Sequence, residues 1–250
     1  MVQNSLRKTE SEKNNQLVTF DVNGYKVQLT PGIVRDYLVS GDKERVTMQE
    51  VVMFINLCKF SGLNPWLKEA YCIKYGNEPA TMVVAKEALQ KRAERNPAYD
   101  GFDAGLIVLT NDGELIYRPG SFSLPAETIV GAYAEVWRKD RGHAYRAEVS
   151  FEEYAGRKKD GTLNNQWAKK PGTMIRKVAL AQALREAFPA DMNGMYISEE
   201  QGIDESVIDL TPIEQPAAVN PAPAAELEHT PAPERQTAPV MDAQQALFGE

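Results

Sequence analysis

Residues 129–151 read IVGAYAEVWRKDRGHAYRAEVSF. Two runs of strand-forming residues flank Asp140-Arg141-Gly142, a turn sequence. Side chains alternate across a strand, so Val130, Ala132, Ala134 and Val136 share one face of Ile129–Trp137. Tyr133, Glu135 and Trp137 share the other. Ala144–Phe151 is the returning strand, and a long helix over about Pro171–Phe188 follows. A hairpin with one apolar face and a helix to cover it predict an α+β fold. The expected architecture is antiparallel hairpins in a small sheet packed with helices, including one long C-terminal helix of the core.

Working outward, Phe102–Thr110 and Leu115–Arg118 flank Asn111-Asp112-Gly113 as a second hairpin. Val18–Val22 and Tyr25–Leu29 flank Asn23-Gly24, a dipeptide that supplies the positive φ angles of a tight turn. Thr30-Pro31-Gly32 opens a short helix over Ile33–Leu38. Thr47-Met48-Gln49-Glu50 is a capping box, in which hydroxyl and carboxylate satisfy free N–H groups at a helix start. That helix carries Val51, Val52, Phe54, Ile55 and Leu57 and ends at Gly62 and Pro65. Tyr71–Tyr75 and Thr81–Val84 read as strands, and Ala85–Arg95 as a helix stopped by Asn96-Pro97.

Net charge is −7, unevenly spread. Residues 201–250 hold nine acids and only Arg235 as a base, whereas Trp137–Arg185 holds twelve Lys/Arg against five Asp/Glu. A basic region joined to an acidic tail fits a nucleic-acid binder, with a solvated charged face as the plain alternative. Thr211–Pro239 is rich in Pro, Ala, Glu and Gln, a composition that cannot offset its ordering entropy. Three regions are expected: a flexible start over 1–16, a DNA-binding domain over 17–200, and a disordered acidic tail over 201–250. Ala243–Phe248 at its tip is a small amphipathic element suited to a partner. A merely frayed end is the plain alternative there, and a further reading has the acidic tail fold back onto the basic region and compete with DNA.

Phosphate-cradling G-x-x-x-x-G-K-[ST], dinucleotide G-x-G-x-x-G and hydrolase G-x-S-x-G motifs are absent. The two histidines, His143 and His229, and the two cysteines, Cys58 and Cys72, offer neither a triad nor a metal cluster. The sequence predicts no catalytic residue, cofactor or metal. Asp112 and Glu114 resemble a Mg²⁺-holding nuclease pair, but turn chemistry is the preferred reading there. Without a signal peptide or an apolar run of membrane length, a cytoplasmic location is expected.

The basic cluster is the candidate site. Arg138, Lys139 and Arg141 crown one hairpin, Lys158 and Lys159 follow the next strand, and Lys169 and Lys170 lead into the long helix. Cations at a helix N-terminus oppose its dipole and become sensible when an anion binds there. Arg176 lies in the helix itself, and Lys177 and Arg185 fall inside its apolar arc of Met174, Val178, Leu180, Ala181, Leu184 and Phe188. Such charges need an anion or a buried carboxylate; a DNA phosphate is favoured over an internal salt bridge. Arg185→Ala is then expected to weaken DNA binding and flatten its salt dependence. Tyr133, Trp137, Tyr145, Tyr154 and Trp167 interleave with the bases, as stacking platforms for single strands or as core rings.

Three blocks resemble the RecT/Redβ annealing proteins of phages and prophages. Gly62-Leu63-Asn64-Pro65-Trp66-Leu67-Lys68-Glu69-Ala70-Tyr71 is similar to the family's G-L-N-P-W-x-K-E-x-Y. Trp137-Arg138-Lys139-Asp140-Arg141-Gly142-His143 is similar to Y-R-K-D-R-x-H. The third is Trp167, then Pro171-x-x-Met174-Ile175-Arg176 and Ala179-Leu180-x-Gln182-Ala183-Leu184-Arg185-x-Ala187-Phe188, followed by Gly194-Met195-Tyr196. Some members carry two basic residues where this chain has Gly172-Thr173, and a lysine where it has Val178. Lys68, Arg176 and Arg185 match.

The resemblance implies an ATP-independent, non-enzymatic annealer of single-stranded DNA. It would form homo-oligomeric rings or helical filaments and hold the nascent duplex DNA in a basic groove. Implied partners are single-stranded and annealed duplex DNA, a phage 5′→3′ exonuclease and the host single-strand-binding protein. Three other readings are weighed beside it: a passive single-strand coat, a Mg²⁺-dependent nuclease, and an adaptor working through the tail.

Overall fold

A computed structural model describes residues 16–203, 208 and 213–215. The tail's amphipathic tip and most of its acids lie outside these residues. The chain opens with β1 (Val18–Val22) and β2 (Tyr25–Leu29), paired antiparallel. Asn23 and Gly24 both take positive φ, 56° and 80°, as the tight turn requires. Next, α1 (Pro31–Ile33), capped by the Thr30 hydroxyl, runs into a π-helical turn at Val34–Leu38.

β3 (Val39–Gly41) pairs in parallel with β4 (Ala70–Lys74), which pairs antiparallel with β5 (Thr81–Val84). The crossover between β3 and β4 carries α2 (Met48–Ser61), and its capping box forms as read: Glu50 N donates to Thr47 Oγ1 and Thr47 N to Glu50 Oε2. The parallel pair adds to the antiparallel hairpins expected from the sequence, where three residues of β3 carry too short a pattern to register as a strand.

Glu50 has a second task. Its other oxygen accepts from Lys74 Nζ and from Ala80 N, both at 2.7 Å. Burial pushes this carboxyl up, but the Lys74 ammonium and the Thr47 and Ala80 donors outweigh burial and hold it at about 2, against 4.5 ordinarily. A carboxyl lowered on folding stabilises above its unfolded value, and that contribution is lost as pH falls towards the folded one. Thermal midpoints should therefore fall between about pH 4.5 and about pH 2, partly through Glu50. Glu50→Gln should remove that part of the acid limb; an unchanged limb would locate the titration elsewhere.

α3 (Lys86–Arg95) leads into the main sheet, made of β6 (Tyr99–Leu109), β7 (Leu115–Pro119), β8 (Thr128–Arg138) and β9 (Tyr145–Ser150). Its order is β7-β6-β8-β9, antiparallel throughout. The short α4 (Phe151–Tyr154) and α5 (Asn165–Lys169) precede the long α6 (Pro171–Ala187). After it come α7 (Pro189–Met192) and a 3₁₀ turn at Ser198–Gln201.

One face of the sheet presents Ala104, Leu106 and Val108 from β6, Ala132, Ala134 and Val136 from β8, and Ala147 and Val149 from β9, all buried. α6 packs there. The sequence suggests one apolar arc for α6, but Ile175, Ala179 and Ala183 are also completely buried. α3, α5, α7 and the Ser198–Gln201 turn also contact α6. An element buried nearly all round must be apolar nearly all round. Lys177 and Arg185 are therefore placed where charge needs an internal partner.

Tyr133, on the opposite face, crosses Gly105 and is only 6% exposed. A Cβ at Gly105 would come within 2.6 Å of its ring and 2.1 Å of Arg118 O. The glycine lets that ring reach Tyr117, edge-on at 5.5 Å.

Candidate nucleic-acid interface

The N-terminal end of α6 is assembled from short segments. Asn164 Oδ1 accepts from Gln166 N and Trp167 N and so starts α5. Trp167 is 1% exposed and meets Phe151 edge-on, which fixes α5 against α4. Of the rings considered as base platforms, Trp167 is thus a core residue. Tyr154 is tied down as well, its hydroxyl accepting from Gln182 Nε2.

Before α5, Arg157 and Leu163 bridge across a tight loop. Arg157 holds Glu152 and Gly161 O, while Lys158 and Lys159 stand exposed at the loop's tip. Lys169 closes α5, and Lys170 bends the chain (φ −137°, ψ 52°) into Pro171, the first residue of α6. Both lysines are exposed.

α6 has no side-chain cap and no acid in its first turn. Its first amides have no acceptor within the helix, and its dipole adds partial positive charge there. Exposed Lys169 and Lys170 adjoin this uncapped positive helix end, Lys158 and Lys159 stand on the loop before α5, and among the described residues none of the four is in an ion pair.

The remaining cations are elsewhere. Arg138 grips Asp140 through two 2.8 Å bonds, donates Nη1 to Ala187 O, and lies 4.9 Å over the Phe188 ring. It caps the C-terminal end of α6, where a cation complements the dipole. Arg141 shares Asp140 at 3.7 Å, and Lys139 is exposed beside them. Since α6 has 17 residues, this group lies roughly 25 Å from Lys169 and Lys170 at 1.5 Å per residue. The stretch Trp137–Arg185 is thus split between the two ends of α6 and does not form one unbroken track.

Lys177 and Arg185, for which the sequence favours a phosphate over an internal salt bridge, both sit against carboxylates of the chain. Lys177 Nζ sits 2.8 Å from Glu199 Oε1, and Arg185 is clamped by both oxygens of Glu200 and covered by the Tyr196 ring at 4.8 Å. The Glu199 and Glu200 side chains are 2% and 6% exposed. Their charges are carried by a segment that returns across α6 after Gly194. The missed signal was the Glu199-Glu200 pair following apolar Ile197, the natural complement to two cations in an apolar arc.

Arg176 donates Nε to Ala104 O at 3.0 Å and lies 6.0 Å over the Phe102 ring. Lys68 stands apart from all of these. It adopts φ 59° after the Pro65–Leu67 turn and borders a cavity of about 220 Å³ with Ser40, Gly41 and Tyr71. The surrounding block is self-bracing: Asn64 Oδ1 caps Trp66 N, Asn64 N donates to Glu69 Oε2, and Lys91 pairs with Glu69 Oε1.

Asp112 and Glu114 occupy a turn closed by Gly113 N to Thr110 O and by Thr110 N to Glu114 O. Among the described residues, no three His, Cys, Asp or Glu are placed to hold a metal ion. Cys58 and Cys72 are buried free thiols; burial pushes Cys72 up to about 12 and Cys58 higher still, which disfavours the reactive thiolate. No described helix is long and apolar enough to cross a membrane.

The chain is 30% identical over 165 residues to uncharacterized protein UU154 of Ureaplasma parvum serovar 3, covering 64% of this chain and 66% of that protein. It therefore spans just under two thirds of that relative's length. Residues 24–212 match the RecT family. That span takes in β2 through the Ser198–Gln201 turn, with the Gly62–Tyr71 block and the whole of α6 inside it. The chain belongs to the RecT family.

Proposed function

We propose that this protein binds single-stranded DNA, assembles along it as a homo-oligomer and pairs it with a complementary strand without hydrolysing a nucleotide. Family membership supports annealing as the activity. The observation that carries the binding site is the uncapped N-terminal end of α6 with exposed Lys158, Lys159, Lys169 and Lys170. Phosphates bound there release counterions and leave the bases free to pair. Arg176 extends the contact along α6. Lys139 and Arg141 meet the strand at the other end of the helix, and Lys68 at a separate point. Arg138, Lys177 and Arg185 hold the scaffold.

Watson–Crick pairing supplies the sequence selection, and the protein reads backbone alone. The site of action is the cytoplasm of a bacterial host, with a 5′→3′ exonuclease and the host single-strand-binding protein as partners of the acidic tail.

A quench assay with two complementary oligonucleotides tests this reading. Added protein should speed duplex formation without ATP, and a non-complementary pair should give no signal. Strand coating without faster pairing would leave a passive binder, and oligonucleotide loss in Mg²⁺ that EDTA abolishes would favour a nuclease.

A further inference from the structure

Among the described residues, two apolar surfaces are left open on different elements. Along α2, Val52, Met53 and Phe60 are 42%, 61% and 77% exposed. At 100° per residue they share one face, since the buried residues of α2 are Val51, Phe54, Ile55 and Cys58. The second lies on the sheet face away from α6, at the β6–β7 hairpin. Leu109 and Leu115, paired across the hairpin, are 36% and 60% exposed, with Tyr117 beside them at 45%. Scattered exposed side chains need no explanation, but contiguous apolar patches mark interaction surfaces.

The charges around the two patches are opposite. Lys59 stands exposed on α2, its ammonium 5.8 Å from the Phe60 ring centre, while Asp42 and Glu44 balance Lys43 and Arg45 just before the helix. Asp112 and Glu114 stand exposed in the β6–β7 turn. Further along that sheet face, Arg146 is held by Glu135 and Glu148, and Tyr133 Oη donates to Asp103. Three carboxylates against one guanidinium would repel a phosphate backbone, which disfavours nucleic acid on a face that otherwise offers rings. A protein surface that is apolar and basic fits it, and α2 of a second copy is such a surface.

The geometry points to a head-to-tail contact between copies of this chain, with the outer face of α2 on one copy seated against the β6–β7 hairpin face of the next. Two different patches make a heterologous interface, and such interfaces repeat into rings or helical filaments rather than closing as dimers. This rests on the oligomer in the reading above and names the surfaces that build it.

The full-length chain tests it by sedimentation with and without single-stranded DNA. One variant carries Met53→Gln and Phe60→Gln; the other carries Leu109→Thr and Leu115→Thr. Each should raise the concentration needed for assembly at least about tenfold, to a sedimenting monomer. An equimolar mixture should form one-to-one dimers and nothing larger, because each variant keeps one intact patch and only one productive contact remains. Variants that assemble like the parent, a mixture that stays monomeric, or a parent that is monomeric throughout would overturn the inference.

Where a substituted chain loses its fold, charge reversal decides instead. Lys59→Glu should weaken assembly, and adding Glu114→Lys to the same chain should restore it; no restoration rejects the contact. An oligonucleotide too short for two copies separates the two readings. Monomeric variants should bind it like the parent, whereas a parent that assembles but binds no DNA would defeat only the strand-binding reading.

Discussion

Replacing Lys158, Lys159, Lys169 and Lys170 together by alanine should lower the slope of log affinity against log salt by about 3. Each phosphate contact to a single strand contributes about 0.7 to that slope through counterion release. The loss should be largest at low salt, where the parent gains most from its lysines. Between about 50 and 200 mM salt, the difference between parent and variant should shrink about fiftyfold. The drop should be equal for oligonucleotides of any sequence, because the contacts are to backbone.

The four side chains are exposed and, among the described residues, in no ion pair, so stability should change by less than about 0.5 kcal/mol at each position. Binding loss without stability loss is the signature of a contact site. Lys139→Ala with Arg141→Ala gives a second measurement, roughly 25 Å away along α6. A slope lowered by both sets would mean that one strand, or two paired ones, reaches both ends of the helix. A slope unmoved by the four lysines would remove the N-terminal end of α6 from the binding surface.

Much of the fold was legible because its punctuation is local. Asn23-Gly24 and the Thr47–Glu50 capping box each fix their turn or helix end through bonds within a few residues. The apolar alternation of Ala132, Ala134 and Val136 correctly named the buried face of β8. What escaped was short or settled by tertiary contact. β3 has three residues and exists by pairing with β4, each residue with one 33 positions further on, Val39 with Cys72 to Gly41 with Lys74. α4 and α5 are one-turn pieces held by the Phe151–Trp167 contact.

The site was legible as a count of charges, and its allocation was not. Arg138 and Lys139 are neighbours in sequence, yet one caps α6 and the other faces solvent. Which cation is spent on the scaffold depends on carboxylates brought in by folding. Asp140 is local enough to suspect from sequence. Glu199 and Glu200 lie 22 and 15 residues beyond the cations they neutralise, and no helical spacing announces them.

Arg185 is where family resemblance and local structure make opposite demands, and they can be separated. Glu200→Gln should destabilise the protein by about 3 kcal/mol, because the guanidinium stays in a mostly buried site without its countercharge. Thermal midpoint should fall by roughly 10 °C for a domain of this size. Replacing both partners, Arg185→Met with Glu200→Leu, should recover most of that loss. The pair sits among Met195, Tyr196 and the apolar residues of α6, and such surroundings accept apolar substitutes for a buried ion pair.

The double variant also reports on DNA. If Arg185 serves only to anchor the returning segment, the refolded double variant binds single strands with the parent's affinity and salt slope. Arg185→Ala alone, by contrast, loses apparent binding only in proportion to the fraction unfolded. A stable double variant whose slope falls by about 0.7 would show that Arg185 meets a phosphate. Glu200 would then have to release it on binding, and the segment after Gly194 would move with the DNA. The stability measurement fixes what the ion pair does in the free protein, and the slope fixes whether the same guanidinium is reused when a strand arrives.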